Sequence, residues 1–144
     1  MSDQDKAKEL FGRGFACSQA VLAGFAPRLG MDEQQALQVS RLLHGSLGLG
    51  LPCGALLGAW MALGLSRGDV VDNDRPTRMA ANEPAREIAR RFEEEHGSIF
   101  CKDLLGLHLG DPEQYRQAQE KEVFKKQCPL YVATAAKLLE EILG

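Results

Sequence analysis

No two of the four cysteines lie close together in the chain: Cys17, Cys53, Cys101 and Cys128 are separated by 36, 48 and 27 residues. Without a C-x-x-C pair there is no thioredoxin-type motif, no zinc ribbon and no c-type haem attachment site. The glycines between Gly48 and Gly64 are not followed by Gly-Lys-Ser/Thr, and no dinucleotide fingerprint fits, so a phosphate loop is excluded. Basic charge is not in excess either. A net charge of −3 and a pI near 5.6 argue against a nucleic-acid surface. The first residues, MSDQDKAKEL, lack the apolar run of a signal peptide, which points to the cytoplasm. There thiols stay reduced, so cysteines suggest chemistry or metal binding before structural disulfides. Acidic residues show no pairing suited to general acid/base work. Strand alternation, internal repeats and low-complexity tracts are also missing.

What is present centres on Ser46–Gly68, SLGLGLPCGALLGAWMALGLSRG, which no charged residue interrupts from Leu42 to Ser66. Proline has no N–H and a fixed φ, so it suits the first position of a helix. Leu47–Leu51 therefore reads as a glycine-rich approach and Pro52–Leu65 as a buried central helix opening at Cys53. Gly54, Gly58 and Ala62 recur every four residues, giving that helix one face small enough for close backbone approach. A bilayer span needs about 20 apolar residues. The proline cuts this helix to roughly 14, about 21 Å, and no Lys/Arg excess flanks it, so it is expected not to cross a membrane.

Elsewhere helical spacing dominates. Ala7, Leu10 and Phe11 mark a helix over Asp3–Arg13, and Val21, Leu22 and Phe25 mark another over Phe15–Ala26. Asp32 and Gln35 resemble a capping box opening a helix from Glu33 to about Leu47, burying Ala36, Ser40, Leu43 and Leu47. Arg67–Thr77, with Gly68, Asp72, Asn73, Asp74 and Pro76, reads as a polar loop. A helix follows between Thr77 and His96, with Ala85, Ile88, Ala89 and Phe92 as its stripe and Pro84 as an alternative start. Ser98 is expected to cap a short helix containing Cys101, Asp111-Pro112 to open another, and Pro129 to begin a last helix ending at Leu143. Trp60, Met61 and Phe100 are assigned to the core. The 144 residues are thus expected to form a single all-α domain, residues 1–144, a bundle of five to seven helices around the 52–65 helix.

Each cysteine falls in or beside the first turn of an expected helix. Helix N-termini offer unpaired N–H groups and roughly half a positive charge, a field that favours thiolate and lowers a thiol pKa. Two chemistries follow. Cys53 could act as a redox nucleophile, left open by Gly54, with one of the other cysteines as its partner. Alternatively the four thiolates could ligate an iron–sulfur cluster or zinc. His44, just before the glycine-rich approach, could orient or replace a cysteine ligand, although a surface or core role suits it better. A third reading is an assembly subunit whose Gly54-Gly58-Ala62 face packs against a second copy.

The segments GFACSQAVL, PCGALLGAWMALGLSRG, FCKDLLG and QCPLYVATAAKLLEEIL resemble the C_GCAxxG_C_C family over nearly the whole chain. The resemblance carries the family's residues onto Cys17, Cys53-Gly54-Ala55 with Gly58, Cys101 and Cys128. The order here is Cys53-Gly54-Ala55, after Pro52, where the family shorthand places glycine before cysteine. What the resemblance implies is a redox role for the four cysteines, exchanging electrons with an unidentified partner protein.

Overall fold

The computed structural model describes residues 1–68 and 73–144. Its helices are α1 (Asp3–Gly12), α2 (Cys17–Phe25), α3 (Glu33–Ser40), α4 (Gly54–Leu65), α5 (Arg75–Ala81), α6 (Glu83–His96), α7 (Cys101–Leu105), α8 (Pro112–Glu120), α9 (Val123–Lys126) and α10 (Cys128–Leu143). Short 3₁₀ turns occupy Pro27–Leu29 and His44–Gly48. No strand occurs among the described residues; one isolated bridge pairs Pro52 with Phe100. The all-α class is therefore the class of this protein.

Local chemistry explains where most helices begin. Asp32, Asp74 and Asp111 each accept a hydrogen bond from a backbone N–H three residues on, at the starts of α3, α5 and α8. Gln19 bonds back to the Ala16 N–H and donates to the Leu37 carbonyl, so one side chain caps α2 and ties it to α3.

Several expected boundaries shift. The central helix begins at Gly54, with Cys53 as its cap residue, because Pro52 is drawn into the bridge and the Cys53 N–H donates to Ile99 O at 2.7 Å. α3 stops at Ser40 and does not reach Leu47. The Ser40 hydroxyl donates to Ala36 O, and Ser40 O is taken by the Ser18 hydroxyl at 2.7 Å, so the last carbonyl leaves the helical ladder. Leu47 is consequently exposed, at 48%. The Thr77–His96 helix is two helices that break at Asn82, and Pro84 sits in the first turn of the second. Ser98 does not cap α7: its hydroxyl accepts from the Phe100 N–H and donates to Asp103, and Phe100 is the cap residue. Phe100 itself is exposed, not core. Trp60 and Met61 do pack on the core, and the Trp60 indole N–H donates to Ala85 O. Of the polar loop expected over Arg67–Thr77, Asp72 lies outside the described residues.

The main core lies where α2 and α4 cross, with α1, α3, α6 and α10 around them. α2 is buried almost throughout, from Ala20 to Phe25, and α4 buries Ala55, Leu56, Ala59, Ala62 and Leu63. The crossing is close because α4 turns its small face to α2. A Cβ at Gly58 would stand 2.6 Å from Ser18 O, and one at Gly54 would stand 2.5 Å from the Cys17 sulfur. That face is used inside the chain, against α2. A smaller core, Leu105, Leu107, Ala118 and Val123, gathers α7, α8 and α9 beside it.

Replacing Gly58 with leucine puts a side chain into backbone. The variant is expected to lose about 1–3 kcal/mol or more of stability, read as a lower urea midpoint. An unchanged midpoint would refute the α2–α4 spacing.

Candidate functional site

The four cysteines come from four different helix starts. Cys17, Cys101 and Cys128 are the first residues of α2, α7 and α10, and Cys53 is the cap residue of α4. Expected from the sequence, this placement is present at all four positions. Their side chains line one cavity of about 680 Å³. It lies on the seam between the two cores: Cys53 belongs to the main core and Cys17 packs on it, whereas Cys101 and Cys128 pack on the smaller one. Tyr131 touches both cores, lines the cavity and anchors its hydroxyl on Leu104 O at 3.1 Å. No disulfide joins any of the four.

Electrostatics correct the expectation of acidic thiols. Burial is the largest influence on Cys17, Cys53 and Cys128 and pushes each thiol up from its ordinary value. Cys128 is raised to about 12. Backbone N–H groups at the helix starts do pull the other way, those of Gly45, Ser18 and Ala55 on Cys17 and those of Ala55 and Leu56 on Cys53. They are outweighed. The thiols also oppose one another: negative charge on Cys17 and Cys101 raises both Cys53 and Cys128, and charge on Cys128, Cys53 and Cys101 raises Tyr131. The four sulfurs are thus one electrostatic unit that resists holding several thiolates at once without a compensating cation.

Gly54 does not leave Cys53 open, as its lack of a side chain suggests in sequence. The space a Cβ would need is taken by the Cys17 sulfur and the Leu43 carbonyl, and Cys53 is only 5% exposed. Ala55 contributes through its backbone N–H, which serves both Cys17 and Cys53. Gly58 lies one turn further along and touches α2, away from the sulfurs. His44 is exposed and lines the cavity. Among the described residues, no three Cys, His, Asp or Glu side chains gather as a set able to hold one metal ion.

Sequence reasoning missed the other walls. Tyr115 and Phe124 line the cavity with ring centroids 5.8 Å apart, from α8 and α9. α9 carries no glycine or proline punctuation, and its cap residue Glu122 adopts a left-handed φ of 55°. Nothing in QEKEVFKKQ announces that turn. The N–H of Gly45 was equally hidden, because a backbone donor has no side-chain signature.

A family model described as "Putative redox-active protein (C_GCAxxG_C_C)" matches residues 15–142, and the chain belongs to that family. Among curated proteins and among solved structures, none matches it. No helix among the described residues is long and apolar enough to cross a membrane.

The raised thiols set a pH dependence. In the unfolded chain a cysteine ionises near 9, whereas folded Cys128 stays protonated to about 12, so the unfolded state sheds its proton first. The stability of metal-free, reduced protein is expected to be level below pH 9 and to fall as pH rises from 9 towards 12. Urea midpoints measured across that window would check this; a flat or rising profile contradicts it.

Proposed function

From that family membership we propose that the chain is an electron-carrying redox protein in which Cys17, Cys53, Cys101 and Cys128 together hold an iron–sulfur cluster. The observation that carries the reading is the placement of all four cysteines, each at a helix start, on the wall of one cavity. The donor set fits: four thiolates are the usual ligands of such clusters. A single zinc ion is the poorer fit. Ligands of a single ion must crowd around one point, and among the described residues no three do so. A body of several irons and sulfides lets its thiolates stand further apart. When bound, a cluster supplies single-electron chemistry.

The chain's own part is to hold the sulfurs and set their electrostatics. Burial and mutual repulsion make free thiolates costly, so their ionisation is linked to the arrival of positive charge. The N–H groups of Gly45 and Ala55 point at sulfur that carries the charge, which stabilises the more negative, reduced level. Cysteines kept out of disulfides suit a reducing compartment, in keeping with a cytoplasmic carrier that serves a partner protein.

A dithiol mechanism is the second reading, and one observation favours it. Cys17 is the charge that Cys53 feels most strongly, which makes these two the natural pair. Oxidation would join their sulfurs, release two protons and pass two electrons to an acceptor. With Cys53 raised by burial, it would be a slow nucleophile.

Protein purified without oxygen separates the two. The cluster reading expects visible sulfur-to-iron absorption, iron and acid-labile sulfide in equal amounts, and loss of most iron from each single Cys→Ser variant. Iron-free, colourless protein that forms a Cys17–Cys53 disulfide under mild oxidant would overturn it in favour of the dithiol. Cys53→Ser should then abolish that disulfide while leaving helical circular dichroism intact.

A further inference from the structure

The cavity holds more than thiols. Aromatic rings of Phe11, Phe15, Tyr115, Phe124 and Tyr131 stand on its walls, and among the described residues no Asp or Glu lines it. In a chain with 20 acidic residues and a net charge of −3, a carboxylate-free lining is a local departure. Among the described residues, Lys125 is the one lysine or arginine on that lining. It follows Phe124 directly, is exposed, and makes no ion pair among the described residues. Its neighbour Lys126 is different: it pairs with Glu122 at 3.4 Å and does not line the cavity. Tyr115, at 44% exposure, leans on Phe124 with the ring planes at 43°. The Tyr115–Phe124 pair and Lys125 therefore make a rim with two flat apolar surfaces and one unpaired cation beside them.

We infer that this cavity is a binding site for a small aromatic anion, its ring lying against Tyr115 and Phe124 and its acid group meeting the Lys125 ammonium. Large apolar pockets with a few placed polar groups are the usual form of small-molecule sites. Here the apolar part selects a flat ring through stacking, and the charge selects an acid over a neutral or basic ligand. The ligand would sit in the same cavity as the four cysteines, within reach of whatever redox chemistry they perform. The inference stands whether those cysteines hold iron or act as thiols, because the rim comes from α8 and α9 and its test reads no metal.

Isothermal titration of naphthalene sulfonate into protein as purified tests it. Saturable binding to one site per chain is expected. Lys125→Ala should weaken it about fivefold, as loss of one partly solvated ionic contact would. Tyr115→Ala should weaken it by a similar factor, while Lys126→Ala leaves it unchanged. Both altered rim residues are exposed, so helical circular dichroism should match the parent. Neutral naphthalene methanol should bind about as weakly to the parent as the sulfonate does to Lys125→Ala. The inference is overturned by absence of saturable binding, by equal affinity in Lys125→Ala, or by equal affinity for the neutral analogue.

Discussion

The close approach of α4 to α2 is the constraint on which the rest depends. Two glycines, Gly54 and Gly58, let the α4 backbone rest on Cys17 and Ser18 with no side chain between them. The approach places the Cys17 sulfur against the first turn of α4, whose cap residue is Cys53, so packing and site geometry are set by one contact. The Ser18 hydroxyl then reaches Ser40 O, ending α3 and turning the chain into the His44–Gly48 segment. Gly45 in that segment returns an N–H to Cys17. Core, helix ending and sulfur environment follow from the same few ångströms.

Two influences compete at the sulfurs, and their balance decides the chemistry. Helix starts favour thiolate through oriented N–H groups, worth typically 0.3–1 kcal/mol at an exposed site and about 2 kcal/mol at best. Burial opposes it, and several kcal/mol are at stake when a charge leaves water. At Cys17, Cys53 and Cys128 burial prevails and holds each thiol above its ordinary value. That is a poor arrangement for a lone nucleophile and a good one for a ligand set.

The helical class, most helix starts and the cysteine positions were legible because each has a local cause. Proline at residue 112, aspartate caps at residues 32 and 111, and apolar spacing along α2 and α6 act within one or two turns. What was not legible has distant causes. Pro52 is drawn into a bridge with Phe100, 48 residues away, which moves the start of α4. Ser40 is held by Ser18, and this ends α3 short of Leu47. Thiol acidity failed for the same reason: the helix N-terminus can be read from sequence, while burial depends on which other elements close over it. The family motif identified the four cysteines without saying that they share a cavity.

The seam between the two cores carries a consequence for how the chain folds. Cys17 and Cys128 are 111 residues apart, and the thiol pair on each side of the cavity belongs to a different cluster. The main core needs contacts of the same range, since it joins Ala7 and Leu10 of α1 to Leu138 and Leu139 of α10. A chain lacking α10 lacks Cys128, its first residue, and cannot bring all four cysteines to the cavity. The assembled site is therefore a record of completed folding, present only once both cores have met.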